Sequence, residues 1–290
     1  MSKKQTDFNF NEAKKAATHH LSIIASFMED MNNNFPKSVP LDWAILLRKL
    51  EIKISQASSP CLNSVDIKQI DDLGKQLVQG NPDTTKQLEL FYNLYVEAFS
   101  ILKSNPKMGY APQGIIDNEL ARIKNADELS ENLVSEAKTN RSTFAFPLAL
   151  LLAHVVRAET IGYAIWKQLC DVIDNFQKLG LTKYSVDDLE LMCSVHNTVI
   201  KGKKREVRSD VKAIRDSIAH GNFSIHKVAD TYEIEFNNSN YPFHKVYSMK
   251  EFAQFFDLYT MLYKRQLALL FIIELLPILT THFLKKPSAS

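Results

Sequence analysis

The chain has 290 residues, 45% of them hydrophobic and 23% charged, which suits one large globular domain or two modest ones. A formal net charge of +2 excludes a global electrostatic pull toward nucleic acid or membrane, so any basic site must be local. Cys61, Cys170 and Cys193 are widely spaced with no CxxC pair, which argues against a disulfide framework or a cysteine-based zinc site and fits a reducing, cytoplasmic setting.

In chain order, the N-terminal MSKKQTDFNFNEAKK lacks the apolar core of a secretory signal. Asn11 is expected to cap a helix through His19-His20 to about Met31, which the run Asn32-Asn33-Asn34 and two prolines then break. Leu41 to about Gln56 is amphipathic, with Trp43, Leu46, Leu47 and Leu50 on one side. Ser64 opens a helix toward Gly80, and Asp83 caps another that carries Leu88, Phe91, Leu94, Tyr95 and Phe99 at helical spacing. Pro112 to Thr139 reads as two polar helices joined near Asn125. Phe146 to about Leu179 reads as one long apolar helix ended by Gly180. Ser185 starts a further helix to about Ile200.

From Lys201 the pattern changes. Lys201-Gly202-Lys203-Lys204-Arg205 reads as a basic loop, and Ser209 or Asp210 then caps a short helix that runs to His220 and stops at Gly221. Beyond it the apolar period becomes two. Phe223 and Ile225, then Tyr232, Ile234 and Phe236, alternate with polar residues around a turn at Lys227 to Thr231, which predicts a β-hairpin at about 222–236. Ser248-Met249-Lys250-Glu251 has capping-box spacing and opens the last helix. Leu267 to Leu284 is near the length of a short membrane span. Glu274 and Pro277 lie inside it, and the stripe Phe252, Phe255, Phe256, Tyr259, Leu262 leads into it, so we expect one long buried helix and no membrane partner. The expected fold is all-α, with a helical region of unassigned role at 1–140 and a helical domain with the inserted hairpin at 141–290.

The segment Arg215-Asp216-Ser217-Ile218-Ala219-His220-Gly221 resembles the R-x4-6-H motif of HEPN domains, with a polar residue after the Arg, apolar Ile218, small Ala219, then Gly and short strands. The resemblance covers roughly Phe146 to Leu284. It implies a helical bundle, and in many members a metal-independent endoribonuclease of toxin–antitoxin, abortive-infection or CRISPR defence systems. Arg215, Asp216 and His220 are then the catalytic candidates, no cofactor is called for, and the partners are an RNA substrate, a second copy of the chain and an antitoxin protein. The chain departs from the R-x4-H-x-Tyr subgroup, because Asn222 takes the Tyr position and leaves tyrosine modification without its residue.

Helix geometry supplies its own constraints. Asp216 and His220 are four apart, so they share a face and are expected to pair, which would orient the imidazole. Arg215 lies roughly 140° around the helix from His220, so one helix does not aim both at one atom. Two such helices across a two-fold axis would line a cleft with both pairs. There the 2′-hydroxyl of RNA attacks the adjacent phosphate, His220 moves the proton and Arg215 holds the phosphate charge. Lys201, Lys203, Lys204, Arg205 and Arg208 are candidates for the flanking backbone. A non-catalytic helical adaptor, in which the same helix forms a dimer seam or binds an antitoxin or nucleotide, is the alternative.

The remaining histidines point elsewhere. Neighbours His19 and His20 diverge by about 100° and cannot share a metal. His154 on an apolar helix reads as a core residue, and His196, His226 and His244 show no acidic or Cys partner at ligand spacing. No Gly-rich phosphate loop, G-x-S-x-G or H-E-x-x-H occurs.

Overall fold

Capping residues and apolar stripes set most of the helices. The computed structural model describes residues 9–34, 42–78, 97, 113–139, 143–162, 198–201, 204–207, 210–238 and 242–285. Two units are distinguishable: residues 1–113 with 264–290, and residues 114–263. The helix ending at Lys138 belongs to the second unit, and the end of the chain belongs to the first.

In the first unit, α1 spans Phe10–Asn34, α2 Asp42–Ser55 and α3 Ser64–Val78. The cap of α1 is Asn9, two residues before the expected one. Its Oδ1 accepts the Glu12 N–H at 3.0 Å while Glu12 Oε2 accepts the Asn9 N–H at 3.2 Å. Asn63 and Asp66 repeat the device at α3, at 3.0 and 2.8 Å. The core of α1 and α2 includes Leu21, Ile24, Met28, Leu47, Leu50 and Ile54. His20 is buried, its Nδ1 donating to the Ala16 carbonyl at 2.8 Å. The predicted helix at Asp83 and the C-terminal part of the helix expected to Leu179 lie outside the described residues.

In the second unit, α4 is a single helix, Gln113–Lys138, where two were expected. Asn125 does not break it, because Ile123, Ala126, Ser130 and Val134 form one buried stripe across that point. Next, α5 spans Ala145–Arg157 and passes into a π-helical turn, Ala158–Gly162. Strands β1 (Thr198–Lys201) and β2 (Lys204–Val207) form an antiparallel hairpin. The last residues of the helix expected to reach Ile200 and part of the expected basic loop are strand instead, while the rest of that helix lies outside the described residues. The β-branched run Thr198-Val199-Ile200 suits a strand better than a helix end.

The short helix α6 is Asp210–Ala219, followed by β3 (Phe223–Val228), β4 (Thr231–Asn238) and β5 (Phe243–Ser248) in a three-stranded antiparallel sheet of order β3-β4-β5. The hairpin expected at 222–236 is present and gains a third strand. Its two-residue turn is Ala229-Asp230, with Ala229 at φ +52°. Ile234 and Phe236 point inward and join Phe146, Leu150, Ile214 and Phe252 in one core. The all-α class holds, with this sheet inserted before the last helix.

That helix, α7, is Met249–Ile278 and ends in a π turn, Leu279–Phe283, just after Pro277 removes a backbone donor. The Ser248 capping box forms: Glu251 Oε2 accepts from the Ser248 N–H at 2.9 Å and from its hydroxyl at 2.8 Å. Two helical segments, Ala145–Gly162 and Met249–Phe283, are long and apolar enough to cross a membrane, but 61% and 76% of their apolar windows are buried within the protein.

Candidate functional site

The motif helix α6 is seated by its apolar face and by one buried histidine. Val211, Ala213 and Ile214 are buried. From α5, the fully buried His154 ring donates its Nε2–H to the Val211 carbonyl at 3.1 Å. That leaves His154 Nδ1 buried without a partner. Burial pushes the His154 pKa down to about 4, with Arg157 and Arg215 adding to the effect and the Val211 bond opposing it. His154 is thus the neutral core residue expected, and it also ties the first turn of α6 to α5.

The far end of α6 closes as a Schellman motif. The Asn222 N–H donates to the Ser217 carbonyl at 2.7 Å and the Gly221 N–H to the Ile218 carbonyl at 3.2 Å. Gly221 sits at φ +68°, a left-handed conformation that explains glycine here. His220 is the last residue before it, exposed at the helix C-terminus, with no side-chain hydrogen bond among the described residues.

The two polar residues at the centre of the motif are paired differently from the expectation. Asp216 is buried and does not bind His220. Its carboxylate accepts from Lys212, one turn back on the same face, and from Arg215 Nη1 at 3.0 Å. A lysine holds three donors and a full charge at pH 7, so it outcompetes an exposed imidazole for the same carboxylate. Arg215 Nη1 also meets Glu159 Oε1, in the π turn after α5, at 2.8 Å. The Arg215 side chain is 18% exposed while Glu159 is 52% exposed, so the pair sits at the rim of the unit. Glu159 and Lys212 were not legible as site residues. Lys212 has the i,i+4 spacing to Asp216, but Glu159 lies 56 residues from Arg215 and only the fold joins them.

Beneath this rim, Arg157 is buried, donating to Thr260 Oγ1 at 2.7 Å and Asp127 Oδ1 at 3.0 Å, with its guanidinium 4.6 Å from the Phe256 ring centroid. It braces α5 against α4 and α7 and leaves Arg215 as the cation near the surface.

Of the basic candidates, Lys201, Lys204 and Arg205 lie in the β1–β2 hairpin, with Lys201 opposite Lys204 and Ile200 opposite Arg205. Lys203 and Arg208 lie outside the described residues. A cavity of about 420 Å³ lined by Phe146, Leu150, Met249 and Phe256 lies in the same unit and includes none of the motif residues.

One correction concerns His226 and His244. They do have an acidic partner: Glu235, on the strand between theirs, meets His226 Nε2 at 3.2 Å and His244 Nε2 at 2.9 Å. The hydrogen bonds from His244 and His226 hold the Glu235 carboxyl below its usual range.

Comparison with known families gives a match over the second half of the chain. The HEPN pEK499 p136 family matches residues 101–268, more than half of the chain, with the motif inside it. The chain belongs to this family. The matched region takes in α4, α5, the motif helix, the sheet and the first part of α7. Neither curated proteins nor solved structures give a match. The matched region is thus a helical HEPN domain that carries an Arg–His motif at one helix end.

Proposed function

We propose that this HEPN protein is a metal-independent endoribonuclease that works as a homodimer in toxin or antiviral-defence systems. The observation that carries the reading is the state of His220: exposed at the end of α6, with no side-chain partner among the described residues, on the same short helix as a half-buried Arg215. A general acid or base must reach the reacting oxygen, and an exposed imidazole suits that task.

In this mechanism, RNA phosphate displaces the exposed Glu159 carboxylate and takes up the Arg215 guanidinium, while Asp216 keeps the guanidinium in place. One His220 removes the 2′-hydroxyl proton as that oxygen attacks phosphorus. The His220 of the second copy protonates the departing 5′-oxygen. The products are a 2′,3′-cyclic phosphate and a 5′-hydroxyl, and DNA is spared for want of the 2′-hydroxyl. The β1–β2 hairpin, with Lys201, Lys204 and Arg205, supplies charge for the flanking backbone.

The Arg215–Glu159 pair supports a second reading. An arginine already held by two carboxylates is also what a structural ion pair looks like, as expected of a non-catalytic adaptor that dimerises or binds an antitoxin. Incubating purified protein with RNA in EDTA, beside Arg215→Ala and His220→Ala, separates the two. Cleavage lost in both variants supports the nuclease. Cleavage unchanged by either removes the site assignment. An intact wild type without cleavage, whose oligomeric state shifts with Arg215→Ala, supports the adaptor.

A further inference from the structure

The second unit holds a cavity that the RNA chemistry does not use. It measures about 420 Å³ and lies between α4, α5 and α7, with the first residue of β4 at one edge. Its floor is apolar: Phe146 and Leu150 come from α5, Met249 and Phe256 from α7, and all four are buried. Its rim carries both signs of charge. Lys138, the last residue of α4, is exposed there, as are Lys250 and Asp257, two turns apart on α7. Among the described residues, none of these three side chains makes a hydrogen bond or an ion pair. Lys138 still acts on Asp257 through space. Partial burial pushes the Asp257 carboxyl above its usual range, and the charges of Lys138 and Arg157 oppose that push. An ammonium and a carboxylate therefore line one cavity, close enough to feel each other and yet not paired.

We infer that this cavity binds a free aromatic α-amino acid, its ring on the apolar floor and its two charged groups between Asp257 and the lysines. Charge complementarity selects the head group. A ligand with one charge would satisfy one sign of the rim and strip water from the other without replacing it. A zwitterion satisfies both: its ammonium donates to the Asp257 carboxylate, and its own carboxylate accepts from Lys138 and Lys250. The floor selects the side chain. Phe146 and Phe256 offer ring faces and edges to an aromatic ligand, and the Met249 thioether is a favourable neighbour for one. Size agrees as well. At about 30 Å³ per heavy atom, the volume a water molecule takes in the liquid, the cavity holds about 14 such atoms, as many as an aromatic amino acid has. Apolar walls with a few polar groups converging at the mouth are the usual construction of a small-molecule site. Arg215 and His220 take no part in it, so binding does not depend on RNA cleavage.

The test is calorimetric titration of the full chain with phenylalanine, beside 2-phenylethylamine, which lacks the carboxylate, and 3-phenylpropanoate, which lacks the amine. The wild type should bind one equivalent of phenylalanine about tenfold more tightly than either analogue, the worth of one charge-assisted hydrogen bond. Asp257→Asn should weaken phenylalanine about tenfold and leave 3-phenylpropanoate unchanged. Lys138→Met/Lys250→Met should do the reverse, weakening phenylalanine and leaving 2-phenylethylamine unchanged. All three positions are exposed, so the variants should stay folded, and circular dichroism checks that they do. Arg215→Ala and His220→Ala should keep the equivalent whether or not the protein cleaves RNA. No binding of phenylalanine by the wild type, an analogue that binds as tightly as phenylalanine, or affinity unchanged in the folded Asp257 and lysine variants overturns the site.

Discussion

Protonation of His154 offers the sharpest link between this fold and its motif helix. The ring is fully buried, its Nε2–H is committed to the Val211 carbonyl, and its Nδ1 has no partner to share a second proton. Its folded pKa of about 4 lies below the ordinary 6.5. The unfolded chain therefore binds more protons than the folded chain as pH falls below 6.5, and stability declines until the pH drops through about 4. That difference of pKa corresponds to about 3 kcal/mol in total, of which about 2 kcal/mol is lost between pH 7 and pH 5. Urea unfolding at those two pH values measures it, with His154→Leu as the reference. The variant loses one hydrogen bond, about 1 kcal/mol at neutral pH, but should lose about 2 kcal/mol less than the wild type on acidification. An identical pH 7 to pH 5 loss in both proteins would refute the argument that the buried ring must stay neutral.

Glu159→Gln should raise RNA affinity several-fold with little change in melting temperature, because the half-exposed ion pair contributes little to stability while it competes with phosphate for Arg215. Fluorescence anisotropy with a short single-stranded RNA measures this, and unchanged or weaker binding counts against Arg215 as a phosphate ligand. Ser248→Ala removes the capping box of α7 and should lower stability by about 1 kcal/mol, a shift of roughly 2–4 °C in thermal unfolding. A shift below half a degree would show that the cap is replaced by water at no cost.

Local chemistry determined a large share of this protein before any folding was considered. The start of α3 at Ser64, the cap at Ser248, the stop at Gly221, the switch from helical to alternating period at Phe223 and the buried character of the last helix all follow from interactions within a few residues. So does the motif, because Arg215 and His220 belong to one short helix. Local pattern failed where a longer stripe overrode it, as at Asn125, and where the β-branched run at Thr198 outweighed the basic composition after it.

Only the tertiary structure decided who pairs with whom. Asp216 had two partners at helical spacing, Lys212 and His220, and the contest went to the lysine and to the adjacent Arg215, leaving His220 exposed. Glu159 reached Arg215, and His154 reached Val211, across 56 and 57 residues of chain. Strand register brought His226 and His244, nine residues to either side of Glu235, to the same carboxylate. Helix periodicity is written in neighbouring residues, whereas charge pairing depends on where a side chain ends in space, and that is settled only when the core has closed.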